Sequence, residues 1–268
     1  MNDARLSPKV LWGVLALIAA LVALVFTIMT RSPAIEKTQF LRIGVEENYR
    51  PFTYVENGEL VGFDPDISRA ICRQLDIQCE IVPMHFDALI PALLDGKIDL
   101  ITAGLGINEE RRKTMCFSDI YYRSRSLFIS TQQYALGINE NTAEHLVIGA
   151  QRASLQAEVV RSRFVPKGAV LKEYEDYEEL AEALRAGVVE AIFVDGLSGY
   201  QLLKQAEGSG LYIGGIAEGL TSDIVNAHIA ARKNDEALIG NINKAMEQLK
   251  ASGIYQTISL RYFAFMNY

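Results

Sequence analysis

One pattern occurs twice in the sequence, first in Leu93-Leu-Asp-Gly-Lys-Ile-Asp-Leu-Ile101 and again in Leu184-Arg-Ala-Gly-Val-Val-Glu-Ala-Ile192. In each copy a helix-like segment reaches a glycine, and a run of aliphatic residues follows. A glycine after the last residue of a helix is typical, because it adopts positive φ without steric cost. We therefore predict a helix, a tight turn and a buried strand at both places.

Strands and helices alternate around both copies of this pattern. The first half of the chain predicts strands at 41–45, 79–82 and 98–101 and helices at 64–75, 86–94 and from 108 to 113. The second half predicts strands at 146–149, 170–174 and 190–194 and helices at 154–163, 177–186 and 197–205. Such alternation indicates an α/β fold with largely parallel sheets, arranged as two lobes. Small ligands favour the cleft at the carboxyl ends of the strands.

Local signals mark the start of some elements. The pair Asn57-Gly58 between two short apolar runs predicts a β-hairpin turn. Asp64 or Asp66 is the predicted N-cap of the following helix, because a carboxylate at that position accepts hydrogen bonds from free backbone N–H groups. A strand at 228–232 and a helix at 235–252 follow the second lobe.

The composition excludes several classes of protein. The chain has 268 residues, of which 50% are hydrophobic and 22% charged, and this excludes a disordered or collagen-like chain. A formal net charge of −7 without a basic run argues against nucleic-acid binding, because phosphate contacts need clustered Lys and Arg. Three His and three Cys occur without zinc-site spacing. We expect no metal, no cofactor and no nucleic-acid partner, and we expect a monomer.

Residues 10–30 carry no charge, and Arg5 and Lys9 precede them. These 21 residues reach the length of a membrane span, which needs about 20, whereas a signal-peptide core usually has about 7–15. We therefore favour an uncleaved signal anchor over a cleaved signal peptide, with residues 1–37 as anchor and linker and the rest of the chain exported. A buried core helix is a weaker alternative, because the segment has no polar stripe.

Cys72 and Cys79 flank a short segment at the predicted junction of a helix and a strand. In an oxidising compartment the two side chains can pair. The alternative is two unpaired thiols that behave as small hydrophobic side chains. Export of the chain favours the disulfide.

Four ordered motifs carry a family resemblance. They are Gly58-Glu-Leu-Val-Gly-Phe-Asp-Pro-Asp66, Phe86-Asp-Ala-Leu-Ile-Pro-Ala-Leu93, Gly96-Lys-Ile-Asp99, and Arg111 followed by Phe117-Ser-Asp-Ile-Tyr-Tyr122. From Leu41 to about Phe263 the sequence resembles the polar amino-acid family of periplasmic solute-binding proteins (family 3). Within that family it is most similar to the lysine/arginine/ornithine- and histidine-binding group, which carries a Cys pair at the same spacing.

The resemblance implies a two-lobe periplasmic-binding-protein type II fold with two interlobe crossovers, preceded by the N-terminal hydrophobic helix. Lobe 1 is then expected at residues 38–127 and 227–268, and lobe 2 at 128–226. The implied function is capture of an amino acid by hinge closure and its delivery to the membrane permease of an ABC-type importer. The implied location is periplasmic or extracytoplasmic, with residues 10–30 tethering the protein to the inner membrane.

A free amino acid bound in a dry cleft needs a cation, an anion and oriented hydrogen bonds, because unpaired buried charge is costly. The resemblance implies that Arg111 holds the α-carboxylate, for which its guanidinium offers a bidentate fork. It implies that Asp195, at the end of a predicted strand, holds the α-ammonium. Ser154 opens a helix, whose N-terminus favours a carboxylate. The simpler alternatives are a solvated Arg111 and plain helix caps at Asp195 and Ser154.

Three candidate positions depart from the family pattern. Gly104 and Gly106 lie in a turn where their backbone can approach a ligand closely, and the family usually carries hydroxyl residues there. Leu155 stands where the family has a Thr. Backbone donors remain while hydroxyl groups are lost, so the ligand stays open among cationic amino acids, histidine, opines and other polar amino acids.

Glu46, Tyr49 and Phe86 are the expected contacts of the ligand side chain. Tyr49 and Phe86 match aromatic positions that sandwich this side chain in the family. Glu46 matches an acidic position that pairs with cationic side chains. The alternative for Glu46 is an exposed surface acid. Further candidates for the cleft lining are Gln151, Arg152 and His85.

Two other functions are compatible with the sequence. Cyclohexadienyl dehydratases resemble this family and use a cleft carboxylate in catalysis. Glu173 or Glu190 would have to supply that carboxylate here, and neither lies in a catalytic motif. A membrane-tethered amino-acid sensor is the second alternative, and it needs a separate signalling partner.

Overall fold

The structure is a computed structural model, and it describes residues 40–131, 134, 137–205 and 210–263. The uncharged segment 10–30, with the expected anchor, lies outside the described residues. Within the described ranges, no helix is both long and apolar enough to cross a membrane.

Strands and helices alternate along the described chain, as predicted. The strands are β1 Phe40–Glu46, β2 Tyr54–Glu56, β3 Glu59–Val61, β4 Gln78–Met84, β5 Leu100–Leu105, β6 Met115–Tyr122, β7 Ser126–Thr131, β8 Val147–Gln151, β9 Val170–Tyr174, β10 Ala191–Asp195, β11 Leu211–Ile216 and β12 Ala227–Arg232. The α-helices are α1 Phe63–Leu75, α2 Phe86–Leu94, α3 Glu109–Thr114, α4 Leu155–Val159, α5 Tyr177–Arg185, α6 Gly196–Gln205, α7 Ser222–Val225, α8 Glu236–Ala251 and α9 Ile254–Tyr262.

Two five-stranded sheets organise the fold, one in each lobe. The strand order is β4–β1–β5–β12–β6 in the first sheet and β11–β7–β10–β8–β9 in the second. Strands β2 and β3 form the predicted hairpin around Asn57-Gly58. The expectation of two α/β lobes is therefore confirmed.

One strand in each sheet runs against its neighbours. Strand β12 is antiparallel to β5 and β6, and β7 is antiparallel to β10 and β11. The other pairs within the two sheets are parallel. Each reversed strand is the one that the chain enters directly after crossing from the other lobe. The sheets are thus largely parallel as predicted, but apolar periodicity alone did not predict the reversed strands.

The chain crosses between the sheets twice, at residues 123–125 and 217–226, as expected. The two crossovers touch each other, because the backbone N–H of Ser124 donates a 3.2 Å hydrogen bond to Oδ1 of Asn226. The N–H of Gly196 donates to the carbonyl oxygen of Arg125 at 2.6 Å, which attaches the first crossover to the second lobe.

The repeated helix–glycine–strand pattern is present in both lobes. Gly96 and Gly187 adopt φ of 72° and 68°, directly after α2 and α5. Their N–H groups donate to the carbonyl oxygens of Leu93 and Leu184, each at 3.1 Å. The strands that follow, β5 and β10, are almost completely buried at the centre of their sheets. The prediction for both segments is confirmed.

A disulfide joins the end of the first helix to the next strand. Cys72 in α1 and Cys79 in β4 are bonded, with their Cα atoms 6.2 Å apart. The structure therefore contains the expected disulfide and not two unpaired thiols.

The predicted N-cap of α1 is wrong. Gly62 occupies the cap position, and no side chain accepts a capping hydrogen bond there. Asp64 is instead fully buried, and its Oδ1 accepts a 2.8 Å hydrogen bond from the Tyr121 hydroxyl. Asp66 accepts a hydrogen bond from the Tyr262 hydroxyl at 2.7 Å. Both partners are remote in sequence, so tertiary contacts override the local signal.

Candidate functional site

A small cavity lies between the two lobes, where β1, β8 and β10 end. Its volume of about 40 Å³ leaves room for a few water molecules. This volume is far below the roughly 300 Å³ of a typical small-ligand pocket. Six of the nine expected binding residues line this interlobe cavity: Glu46, Tyr49, Phe86, Gly104, Ser154 and Asp195.

Glu46 is the last residue of β1 and is 1% exposed, so it is not a surface acid. Its Oε1 accepts a 2.6 Å hydrogen bond from Nε2 of Gln151 in the other lobe. Burial raises the pKa of Glu46 to about 8; the hydrogen bond from Gln151 lowers this pKa, and the charges of Asp176 and Glu47 raise it. Among the described residues, no cation forms an ion pair with Glu46.

Asp195 is the last residue of β10 and lines the same cavity. Its Oδ1 accepts hydrogen bonds from the N–H groups of Leu197 at 2.8 Å and Ser198 at 3.3 Å, so it also caps α6. Burial raises the pKa of Asp195 to about 6, while the hydrogen bonds from Ser124, Leu197 and Ser198 lower it. No cation in the described part of the chain pairs with this carboxylate.

Arg111 lies in α3 and is 7% exposed, so it is not a solvated arginine. It does not line the interlobe cavity, but its guanidinium carbon lies 6.0 Å from the ring centroid of Phe86, which does. Its guanidinium donates to the carbonyl oxygen of Gly106 at 2.8 Å and to that of Ala153, in the other lobe, at 3.0 Å. Burial lowers the pKa of Arg111 to about 10, and the charge of Glu158 raises it. In the described ranges its guanidinium forms no ion pair with a carboxylate.

Ser154 caps α4 with its side chain. The hydroxyl accepts a 3.0 Å hydrogen bond from the N–H of Ala157 and donates one of 2.6 Å to the carbonyl oxygen of Gln151. The helix-cap interpretation therefore describes what the hydroxyl does, although Ser154 also lines the cavity.

Gly106 and Leu155 lie next to the cavity rather than in its lining. A Cβ placed on Gly106 would lie 2.8 Å from Cδ1 of Leu155 and 2.5 Å from the carbonyl oxygen of Ile224. The second lobe and a crossover thus press against the backbone of the first lobe at this point. The missing side chain at Gly106 allows the lobes to approach this closely.

The backbone of Gly104 is held by a buried chain of hydrogen bonds. Its N–H donates to the hydroxyl of Tyr121 at 2.8 Å, and this hydroxyl donates to Oδ1 of Asp64 at 2.8 Å. Burial raises the pKa of Asp64 well above its usual range, and the hydrogen bond from Tyr121 lowers it. This chain of hydrogen bonds could not be predicted from the sequence, because its three residues come from three separate elements.

Aromatic rings enclose the interlobe cavity. Tyr49 stacks on Phe52 with 5.0 Å between ring centroids and meets the edge of Tyr177 at 5.3 Å. Tyr177, which was not among the predicted residues, also lines a larger cavity of about 440 Å³. Glu46 and Asp195 both line the interlobe cavity, and neither lines the larger one.

Polar contacts also join the two lobes outside the cavity lining. Arg152 approaches Asp87 at 3.4 Å, and Nε2 of His85 lies 3.9 Å from Glu175 in the other lobe. The same His85 nitrogen lies 3.3 Å from Glu47 of its own lobe. Neither Arg152 nor His85 is a lining residue.

The two carboxylates considered for catalysis are engaged elsewhere. Glu173 pairs with Arg161 at 2.7 Å, and Glu190 accepts hydrogen bonds from the N–H of Val147 and the hydroxyl of Tyr134. Neither lines the interlobe cavity. In the described part of the chain, no cluster of His, Cys, Asp and Glu side chains could hold a metal ion.

A family model matches most of the chain. The model of the bacterial extracellular solute-binding proteins, family 3, matches residues 41–265. The chain is 31% identical over 256 residues to an L-arginine-binding protein of Pseudomonas aeruginosa. The match covers 94% of this chain and 96% of that protein. It is 32% identical over 232 residues to a histidine-binding periplasmic protein of Salmonella typhimurium, with 85% and 88% covered.

A solved structure shows the same fold. An ancestral arginine-binding protein bound to arginine superposes with a TM-score of 0.77 at 33% identity. The match covers 84% of this chain and 98% of that chain.

Proposed function

Because the chain belongs to the bacterial extracellular solute-binding proteins, family 3, as its motifs predicted, we propose that it captures a free amino acid with a cationic side chain between its lobes. In this proposal lobe 1 comprises about residues 38–127 and 227–268, and lobe 2 about residues 128–226, with Ser126 and Leu127 already part of β7 in the second sheet. The relatives named above are described as binding arginine or histidine, and the bound ancestral protein holds arginine.

The charge balance of the cleft is the observation that carries the proposal. Arg111 is a buried cation without a carboxylate partner, and Glu46 and Asp195 are carboxylates without a cation among the described residues. Buried charges are costly unless they are paired. An amino acid with one carboxylate and two cationic groups supplies a partner for Arg111 and favours the ionised forms of Glu46 and Asp195, whose pKa values burial raises.

Each end of the ligand then has its own partner. The α-carboxylate pairs with Arg111, the α-ammonium with Asp195 and the side-chain cation with Glu46. Tyr49 and Phe86 flank the apolar part of the side chain. Because these groups come from both lobes, the ligand stabilises the closed form, and the open form admits and releases it.

The proposal extends to delivery of the amino acid to the membrane permease of an ABC importer. Retention at the inner membrane by residues 10–30 belongs to the same proposal, since a tether raises the receptor's effective concentration beside its permease. Fractionation of cells that express the full chain tests this part. Recovery with the membranes supports the tether, and recovery as a shortened, freely diffusing protein contradicts it.

Calorimetric titration of the full chain in mild detergent tests the ligand assignment. The panel contains arginine, lysine, ornithine, histidine, glutamine and glutamate. We expect saturable 1:1 binding of the cationic amino acids and much weaker binding of glutamate. A preference for glutamate contradicts the cationic assignment. Turnover of prephenate without amino-acid binding would replace the receptor by the dehydratase alternative.

A further inference from the structure

A groove of about 620 Å³ lies beside the two crossovers, apart from the interlobe cavity. The residues of β6 from Met115 to Ile120 line it, together with Arg123 of the first crossover, Asp223 of the second and Lys250 of α8. We call it the hinge groove. It shares no lining residue with the interlobe cavity, so it is a separate place for a ligand.

The charges of the hinge groove are mainly positive, although the whole chain has a formal net charge of −7. Its charged lining residues are Arg112, Arg123, Lys233, Lys250, Asp119 and Asp223. Arg112 pairs with Asp223, which leaves three cations against one acid. In the part of the chain that the structure describes, none of these three cations forms an ion pair. Such an excess of unpaired positive charge indicates an anion as the occupant.

Lys250 is the cation that the protein encloses most closely. Its side chain is half-buried, and its Nζ donates a 3.3 Å hydrogen bond to the carbonyl oxygen of Ile120. Burial lowers the pKa of Lys250, and the charge of Arg123 lowers it further, while Asp119 and Glu247 raise it. An anion placed between Lys250 and Arg123 would offset both the burial of the ammonium and the repulsion between the two cations.

His228 in β12 supplies a hydrogen-bond acceptor without a donor. It lines the hinge groove and is 5% exposed. Its Nδ1 lies 2.8 Å from the carbonyl oxygen of Ser118. Because a carbonyl only accepts, Nδ1 carries the proton and Nε2 of the neutral ring is an acceptor. Among the described residues, no donor reaches this buried Nε2. A buried acceptor without a donor is costly, so a ligand donor would be favourable here.

The surroundings of His228 keep its ring neutral at pH 8. Burial lowers the pKa of His228 below its usual value of 6.5, and the charge of Arg112 lowers it as well. The hydrogen bond to Ser118 and the charges of Asp223 and Asp119 act in the opposite direction. Nε2 is therefore an acceptor and not a cation at this pH.

We propose that the hinge groove binds a small divalent anion that also carries a hydroxyl group. Its negative oxygens pair with Lys250 and Arg123, and its hydroxyl donates to Nε2 of His228. Ile120, whose carbonyl oxygen holds Lys250, is the register partner of His228, so the ammonium and the imidazole flank the same position of β6. This site goes beyond the proposed function, because the amino acid of the cleft takes no part in it.

Two kinds of anion share this chemistry, hydrogenphosphate and a dicarboxylate with a hydroxyl group. Each has a partner of nearly the same charge that lacks the hydroxyl. Sulfate is the partner of hydrogenphosphate, and succinate is the partner of malate. Calorimetric titrations of the full chain in mild detergent with these four anions at pH 8 test the inference. The ionic strength is held constant, because salt screens exposed charges.

Two variants separate the charge from the acceptor. Lys250→Met keeps an apolar stem and removes the ammonium. His228→Asn keeps an N–H group near the position of Nδ1 and has no Nε2. The matched control is Lys97→Met, which removes an exposed lysine that pairs with Asp95 outside the groove. Thermal unfolding verifies that each variant is folded, and the comparison of anions on the wild type does not depend on any variant.

For the wild type we expect saturable 1:1 binding, with the hydroxyl-bearing anion of a pair bound about threefold to tenfold more tightly, the size of one hydrogen bond. Lys250→Met should weaken its binding about tenfold, the size of a hydrogen bond to a charged group. His228→Asn should reduce its affinity to that of the partner without the hydroxyl. Lys97→Met should change none of these affinities.

A preference within one pair only supports the site and identifies its ligand as a phosphate or as a hydroxy acid. Absence of saturable binding of both phosphate and malate would overturn the inference. Equal affinities within both pairs, or equal losses in Lys250→Met and Lys97→Met, would also overturn it, since they indicate unspecific attraction by positive charge. None of these measurements requires an amino acid, so failure of the proposed function would leave this inference standing.

Discussion

The guanidinium of Arg111 in one lobe donates a 3.0 Å hydrogen bond to the backbone carbonyl oxygen of Ala153 in the other. A carbonyl oxygen satisfies a donor but does not neutralise a charge. Arg111 therefore has no ion-pair partner among the described residues, although the charge of Glu158 partly offsets its own. A ligand carboxylate placed here meets both the guanidinium and the amino end of a helix.

Arg111→Met should abolish most of the affinity for the amino acid. The variant keeps a long apolar stem but removes the partner of the ligand carboxylate, and a buried charge without its partner is strongly unfavourable. We expect an affinity loss of about 100-fold or more, measured by titration calorimetry. The matched control is Arg112→Met, because Arg112 is exposed and pairs with Asp223 instead. Equal losses in both variants would contradict the role of Arg111.

Binding of a cationic amino acid at pH 7 should release protons. The pKa of Glu46 is raised to about 8 in the empty cleft, so this carboxyl is largely protonated at pH 7. A bound cation favours the ionised form, and up to about one proton leaves per ligand. Affinity should therefore increase as the pH rises toward 8 and level off above it.

Calorimetry in buffers with different ionisation enthalpies measures this proton release. Glu46→Gln should remove it and weaken the binding of cationic ligands. The control variant Glu47→Gln changes the neighbouring carboxylate and should retain the proton release. Proton release of the same size in Glu46→Gln would show that another group titrates.

Gly104→Ser, which restores a hydroxyl residue typical of the family, should destabilise this protein. Gly104 has φ of 61°, and a Cβ there would lie 2.5 Å from the hydroxyl oxygen of Tyr122. Gly96→Ser is the matched control, because Gly96 has φ of 72° with open space around its Cα. We expect a loss of about 1 kcal/mol from backbone strain in both variants and a further loss at Gly104 only. Urea unfolding measures the free energy of unfolding of each variant. Equal losses in the two variants would exclude a steric contribution of Tyr122.

Removal of the disulfide should lower stability but leave ligand binding nearly unchanged. The closed loop between Cys72 and Cys79 is short, so Cys72→Ser should cost about 2.5 kcal/mol by the chain-entropy relation. Reductant should lower the melting temperature of the wild type but not that of the variant. Cys116→Ser, which removes the unpaired thiol, should respond to reductant as the wild type does. A wild type insensitive to reductant would contradict the stabilising role.

Local signals in the sequence were enough to predict most of the secondary structure and the approximate cleft. The turns at Gly96 and Gly187 could be predicted from sequence alone, because the positive φ that ends a helix is adopted mainly by glycine. Glu46, Asp195 and Gln151 each end a strand, and the alternation of elements already implied that such ends meet.

Contacts between remote residues account for what the sequence did not predict. Asp64 resembled a helix cap, but its partner Tyr121 lies 57 residues away. The contact between Gln151 and Glu46 depends on how far the lobes close, and no local pattern encodes that distance. The reversed strands β7 and β12 follow from the path of the chain between lobes, which hydrophobic periodicity does not record.

The contact between Ser124 and Asn226 has a consequence for how the cleft opens. The hydrogen bond couples the two crossovers, so bending of one affects the other, and we expect the lobes to rotate about an axis near this contact. In the proposed receptor, we then expect the carboxylate end and the side-chain end of the amino acid to lose their contacts with one lobe in the same movement.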